Sequence, residues 1–226
     1  MQELNNTEQK LNLVFDIGYN LGHFSKIILE TNAECQIVGI EANPEICEQN
    51  ILRENSNVVL INAAASDSDD KFLNFYVCDG GVCEHVLSTA SPQWMTGRFL
   101  GKGNWRQPIQ IQTITLNKLV DAYGIPDLIK IDVEGWEEPV LRGLTKFVPT
   151  RIMFEWTEEF FPNTVSCVNY LKSLGYTKFG YVDCTKTTKT EKEQLFGIEY
   201  NDWDKLDIHK NLLPSRKWNW GMIYCK

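Results

Sequence analysis

One stretch constrains this chain more than any other. A short apolar run closes on an acid and then on the turn Asp16-Ile17-Gly18-Tyr19-Asn20-Leu21-Gly22. Leu11 to Ile17 reads as a buried strand, and from His23 the period changes, with Phe24, Ile27, Ile28 and Thr31 at helical spacing. Gln36 to Ile40 is a second strand, ending on Glu41. Asn43-Pro44 then opens a helix, Asn as its cap and Pro at its first position, predicted to run to about Glu54. Asn57 to Ala63 is a third strand. Strands alternating with helices demand a parallel sheet, because each parallel pair needs a crossover.

Further along, Lys71 to Cys78 and Gln107 to Leu116 nearly alternate, as antiparallel strands with one wet face do. Between them, residues 79–106 are rich in Gly, Ser, Trp and Asn and show no period. A segment of that kind is predicted to be a substrate-binding insertion over the active site. Thr115 to Ala122 reads as a short helix, Leu128 to Ile131 as a core strand before Asp132, and Glu137 to Phe147 as a helix. Ile152 to Phe154 is a strand ending on Glu155, and Thr164 to Leu174 a helix closed by Gly175. Tyr176 to Val182 and Gly221 to Cys225 are the last strands, with Lys186 to Asn211 as a polar surface excursion. The expected fold is α/β: a mostly parallel, doubly wound sheet with an inserted antiparallel hairpin or lid. All 226 residues suit a single domain.

Charge narrows the partners. A net charge of −8 argues against nucleic acid as a partner, since phosphate contacts need a basic face. It also supplies no polybasic patch for an anionic membrane. Met1 to Lys10 is polar, unlike a signal peptide, and no apolar run reaches the length of a transmembrane segment. The seven cysteines are scattered without a C-x-x-C pair, which fits reduced thiols in a cytoplasmic protein. Only Cys78, Cys83 and His85 cluster.

The glycine turn suggests the ligand. Gly18 and Gly22 lack a Cβ where backbone approaches a bound molecule, and Glu41 stands where an acid can hydrogen-bond a ribose diol. A dinucleotide enzyme would carry G-x-G-x-x-G, which is absent. Asp16, ahead of the first glycine, would crowd a pyrophosphate and suits a ligand bearing an ammonium group. S-adenosylmethionine is such a ligand.

At this point the sequence resembles the FkbM-type methyltransferases. Val14 to Gly22 and Ile40-Glu41-Ala42-Asn43-Pro44 look like that family's opening motifs, and Ala63-Ala64-Ala65-Ser66-Asp67 like its third-strand motif. The most specific match is Asp127-Leu128-Ile129-Lys130-Ile131-Asp132-Val133-Glu134-Gly135-Trp136-Glu137, followed by Leu141-Arg142-Gly143. The resemblance implies a class I, Rossmann-like fold and methyl transfer to oxygen, often on a sugar, glycolipid or secondary metabolite. It implies a cofactor site at Asp16, Gly18, Tyr19, Asn20, Gly22, Glu41, Ala42, Ala64, Ala65, Ser66 and Asp132. Tyr19 departs from the family's small residue and is expected to alter the floor of the methionine pocket.

Ligands of open α/β sheets bind beyond the carboxyl ends of the strands. Asp132 and Glu155 end adjacent core strands, so their carboxylates should meet there, with Glu134 two residues on. Either one is a general base for the acceptor hydroxyl, or together they hold Mg²⁺ or Mn²⁺. Glu134 and Glu137 also fit as acids at the start of the following helix. His85 is a further candidate base, whereas His23 reads as a solvated helix start. Trp94, Trp105 and Trp136 are candidates for a wall that stacks on a sugar, against ordinary core packing. Lys130 reads either as a tether for an acidic group or as a snorkelling surface lysine. The leading expectation is an O-methyltransferase acting on a small-molecule or glycan acceptor, compatible with a homodimer. A non-sugar secondary metabolite as acceptor, and a cofactor-binding module without catalysis, are the alternatives.

Overall fold

The computed structural model describes residues 10–81, 84–96, 99–206, 208 and 219–226, without the side chains of residues 80, 81, 84, 85 and 191. The chain opens with β1 (Leu13–Ile17), α1 (His23–Thr31), β2 (Gln36–Glu41), α2 (Pro44–Glu48) and β3 (Val58–Asn62). Shorter strands follow: β4 (Ala64–Ala65), β5 (Phe72–Phe75), β6 (Cys78–Gly81), β7 (Gly103–Trp105) and β8 (Ile109–Ile114). Then come α3 (Leu116–Tyr123), β9 (Leu128–Ile131), α4 (Glu137–Arg142) and β10 (Arg151–Thr157). The chain continues through α5 (Phe161–Leu174), β11 (Phe179–Asp183), α6 (Glu191–Phe196) and β12 (Trp220–Cys225).

Among the described residues, seven strands form the main sheet, in the order β3-β2-β1-β9-β10-β12-β11. β12 runs antiparallel to both of its neighbours, and the other pairings are parallel. This is the Rossmann-like, class I methyltransferase order. The order reverses between β1 and β9, so a crevice opens beyond the ends of those two strands. One face buries Phe15, Ile129, Ile131, Ile152 and Phe154 beneath α3, α4 and α5. The other buries Val14, Tyr19, Ile28, Met153 and Tyr224. As expected, an inserted set of strands stands apart: β5 pairs antiparallel with β8, and β6 with β7.

Several boundaries differ from the sequence expectation. α2 ends at Glu48, not near Glu54. Asn50 Oδ1 accepts both the Leu52 N–H and the Tyr19 hydroxyl, at 2.8 Å each, which offers the backbone an alternative to the helix. α4 stops at Arg142 because Gly143 is pressed against its neighbours. A Cβ there would lie 2.3 Å from the Ser66 carbonyl oxygen, and the Gly143 carbonyl accepts the Asn117 N–H instead. β10 continues past Phe154 to Thr157, carried by its pairing with β12. Lys186 to Asn211, where it is described, lies mostly at the surface as expected, but not wholly. It contains α6, and Leu195 and Trp203 are buried.

Candidate active site

The glycine turn takes its shape from the protein's own contacts. A Cβ on Gly18 would lie 1.8 Å from the Asp132 carbonyl oxygen, so the turn after β1 presses directly on the end of β9. A Cβ on Gly22 would meet the Tyr19 hydroxyl at 2.5 Å, and one on Gly39 the Tyr19 ring at 2.4 Å. The Tyr19 side chain thus packs beneath the turn while the residue still borders the cleft described below. It is buried under the turn, wedged against two glycines, with its hydroxyl on Asn50.

Beneath the turn lies a buried charge pair. The β1–β9 register sets Asp16 opposite Lys130. Asp16 is fully buried and Lys130 nearly so, and Lys130 Nζ stands 3.2 Å from Asp16 Oδ1 and 3.7 Å from Asp132 Oδ2. The ammonium also donates to the Gly18 carbonyl at 2.7 Å, and the Ser25 hydroxyl donates to Asp16 Oδ2 at 2.7 Å. Burial alone would drive the Lys130 ammonium down, but Asp16, Asp132 and Glu41 outweigh it and hold its pKa above the ordinary range. Burial raises the Asp16 carboxyl, with Lys130 opposing. Lys130 is thus not a snorkelling surface residue: it tethers the acids Asp16 and Asp132 and also lines the cleft described below. It fixes the turn to the end of β9.

Above the turn is a cleft of about 510 Å³. Of the sequence candidates, Gly18, Tyr19, Asn20, Glu41, Ala42, Ala64, Ala65 and Asp132 line it. Asp16, Gly22 and Ser66 do not: Asp16 is held by Lys130 and Ser25, and Ser66 donates its N–H to Ile114. Glu41 accepts the N–H groups of Asn20 at 2.8 Å and Asn43 at 2.7 Å, one on each oxygen. Burial raises its carboxyl, and those two hydrogen bonds oppose the shift. Each oxygen keeps a second acceptor position, which a ribose diol can use. Asn20 sits in the left-handed region at φ 51°, and its buried Oδ1 has no partner among the described residues. Ile46, Phe75 and Val86 add apolar walls that the sequence reading missed. A diol-binding acid, an unused buried acceptor and an apolar shelf together fit S-adenosylmethionine.

The far end of the cleft carries acids. Ile131 and Phe154 are in register, so Asp132 and Glu155 follow at the same level on adjacent strands. Oxygens of Asp132, Glu134 and Glu155 all lie within 4.8 Å of one another. Asp132 and Glu134 line the cleft, whereas Glu155 lines a second cavity of about 250 Å³. Trp136 borders both.

Residues 79–106 grip this corner. Glu134 and Gly135 both have positive φ, 55° and 91°. The buried Thr89 hydroxyl donates to the Glu134 carbonyl at 2.7 Å. A Cβ on Gly135 would lie 2.8 Å from the Trp94 ring. From the other side, Glu137 Oε1 accepts the N–H groups of Val133 and Gly135, each at 3.2 Å. Burial, with Asp132 nearby, pushes the Glu137 carboxyl up to about 7. Arg106 ties the same segment to α2 with a two-pronged contact to Glu45, at 2.7 and 2.8 Å.

The tryptophans do not form one wall. Trp94 is buried between Gly135 and Phe160, so its ring is packed into the protein. Trp105 lines neither cavity and donates its indole N–H to the Leu87 carbonyl. His23 lines the cleft as the first residue of α1. The His85 side chain and all of Cys83 lie outside the described residues. Among the described residues, no helix is long and apolar enough to cross a membrane.

The family model described as Methyltransferase FkbM domain matches residues 16–178. Among curated proteins none matches. A precorrin-6y C5,15-methyltransferase from Geobacter metallireducens GS-15 shares 14% identity, covering 96% of this chain and 81% of its own, at a TM-score of 0.46. The N-methyltransferase NodS from Bradyrhizobium japonicum WM9 shares 8% identity over 96% of this chain and 85% of its own, at a TM-score of 0.44. Neither likeness bears on the acceptor. The cleft beyond β1 and the sequence match agree: the chain belongs to the FkbM methyltransferase family, enzymes that take their methyl group from S-adenosylmethionine.

Proposed function

We propose that this chain methylates a hydroxyl group of a carbohydrate or glycoconjugate, and that the Asp132–Glu134–Glu155 cluster handles the hydroxyl's proton. The observation that carries the reading is where these carboxylates sit. They stand at the end of β9 and β10, where the cofactor cleft meets a second cavity.

S-adenosylmethionine supplies an electrophilic methyl group and a neutral leaving thioether. In this reading Glu41 holds its ribose diol, Asn20 Oδ1 accepts from its ammonium, and Ile46, Ala64 and Phe75 enclose its adenine. The protein's remaining work is alignment and proton removal. An alcohol is a weak nucleophile until its proton has an acceptor. Asp132 or Glu155 provides that acceptor. The Lys130 pair and the Thr89–Glu134 bond keep the cluster in place.

The test is release of S-adenosylhomocysteine with a panel of hydroxylated acceptors. Sugars are expected to support turnover, and Asp132→Asn or Glu155→Gln to reduce kcat by about a hundredfold or more. Stabilisation by S-adenosylmethionine without turnover on any acceptor would leave only a cofactor-binding module. Turnover confined to non-sugar metabolites would move the acceptor class. A second reading rests on the same cluster: three carboxylates are an oxygen ligand set for Mg²⁺ or Mn²⁺, and a bound ion would lower the hydroxyl's pKa. Activity lost in EDTA and restored by either ion supports it, and indifference to EDTA refutes it. The reading includes a homodimer in the cytoplasm, checked by sedimentation and by localisation of a tagged chain.

A further inference from the structure

Three bonded steps run from the surface to Glu41, the acid placed for the ribose. Glu41 Oε1 accepts the Asn43 N–H at 2.7 Å. The Asn43 side chain caps α2 by accepting the Glu45 N–H at 3.1 Å. The Glu45 carboxylate then takes two prongs of Arg106, at 2.7 and 2.8 Å. Ile46, the next residue of α2, is a wall of the cleft. α2 itself is only five residues long. A helix that short is not stable by itself, so its place depends on what it is fastened to.

Arg106 belongs to the opposite wall. It follows β7 and donates its N–H to the Val77 carbonyl at 2.9 Å, and its guanidinium also reaches Asp79 on β6. The same piece of chain carries residues that border the cleft. The Cys78 N–H donates to the Ser88 hydroxyl at 3.0 Å and the Trp105 indole to the Leu87 carbonyl at 3.2 Å. Tyr76 and Thr89 exchange both backbone bonds, at 2.8 and 3.0 Å. These bonds fix residues 86–90, of which Val86, Ser88 and Ala90 line the cleft with Phe75. One guanidinium thus joins two walls, through side chains 61 residues apart in sequence.

We infer that Arg106 is a positioning residue for the cofactor: through Glu45 it clamps α2 to the inserted segment, and so sets both the ribose acid Glu41 and the adenine slot between Ile46 and Phe75. The inference rests on the placement of S-adenosylmethionine proposed above and adds what holds that end of the cleft in shape. Arg106, Glu45 and Asp79 are all exposed, and a lone surface ion pair contributes little. This contact is of another kind. One edge of the guanidinium meets Asp79 and the adjoining edge meets Glu45, so a flat fork is fixed by geometry as well as by charge. Its hydrogen bonds hold both carboxyls below their ordinary range, which keeps them ionised at neutral pH. A lysine, a single point of charge, could not hold two carboxylates at fixed angles.

Calorimetry tests this with S-adenosylhomocysteine and with 5′-methylthioadenosine, which keeps the adenosine and lacks the amino-acid end. Arg106→Met and Glu45→Gln are each expected to weaken both ligands several-fold, and by the same factor. The double variant is expected to bind no more weakly than either single one, because the two residues act through one contact. Arg106→Lys is expected to recover only part of the loss. S-adenosylhomocysteine carries no net charge at neutral pH, so added salt acts chiefly on the protein. Its affinity for the wild type is expected to fall from low to high salt, and its affinity for Arg106→Met to stay level. The melting temperature of the ligand-free variants, which a merely structural contact would lower, is expected to stay near that of the wild type. Unchanged affinity in Arg106→Met overturns the inference, and so do losses that add in the double variant. A loss seen with S-adenosylhomocysteine but not with 5′-methylthioadenosine overturns it too, since the effect then lies at the amino-acid end. Should a substitution prevent folding, the wild-type salt series decides, and an affinity indifferent to salt refutes the clamp. The two proposals separate. Ligands that bind neither wild type nor variant count against the cofactor placement, whereas equal binding to both spares that placement and removes the role of Arg106.

Discussion

Lys130 gives the sharpest test of how the site is held together. Replacing it with Met keeps most of the side chain's volume and removes the cation. Asp16, fully buried, then keeps only the Ser25 hydroxyl, and the Gly18 carbonyl loses its 2.7 Å donor. Stripping one partner from a buried ion pair costs about 3–5 kcal/mol. The orphaned carbonyl adds about 1 kcal/mol. Asp16 can escape part of this by taking up a proton, which raises its folded-state pKa further above the unfolded value. The sign follows: the variant is least destabilised at low pH, and stability drains away as pH rises through the folded-state pKa, by up to about 1.4 kcal/mol per pH unit. Urea denaturation followed by tryptophan fluorescence, across a pH series, measures this. Adding Asp16→Asn removes the buried charge and should return most of the loss at neutral pH. A Lys130→Met protein that loses less than about 1 kcal/mol, or a double variant no better than the single one, would show that the pair does not carry the stability assigned to it.

Two more outcomes follow from particular contacts. The Glu137 carboxyl is raised from 4.5 to about 7, so its contribution is fully present below the unfolded value and is lost as pH rises through about 7. The gap between wild-type and Glu137→Gln stability curves should therefore change by up to about 3 kcal/mol over that window, and parallel curves would contradict the shift. Gly39→Ala places a methyl 2.4 Å from the Tyr19 ring. Thermal denaturation should show a loss of about 1–3 kcal/mol that nearly vanishes in a Tyr19→Ala background, and additive losses would refute the contact.

Much of this site is legible in the sequence because it is built from strand ends. Asp16, Glu41, Asp132 and Glu155 each close an apolar run, and a parallel sheet brings such residues to one edge. The Asp132–Glu155 meeting follows from that rule alone. What the sequence hides is pairing at a distance. Nothing local says that Lys130 faces Asp16, because that depends on the β1–β9 register between segments 114 residues apart. The grip of Thr89 and Trp94 on Glu134 and Gly135 is hidden for the same reason, since residues 79–106 show no period to place them. Tyr19 misleads in another way. It borders the cleft, yet its ring packs where Gly39, on the next strand, has no Cβ, which the motif alone does not show. α6 escapes notice because its charged residues mask the buried Leu195.

The place of β12 has a consequence for how the molecule is made. Residues 220–225 emerge from the ribosome after every other strand, yet they belong between β10 and β11. Until then, both of those strands present an unpaired edge to the cell, ready to accept any passing extended chain. Six residue pairs on one side and five on the other are then formed by a single late segment. Until β12 is in place, the sheet therefore holds an open slot between β10 and β11.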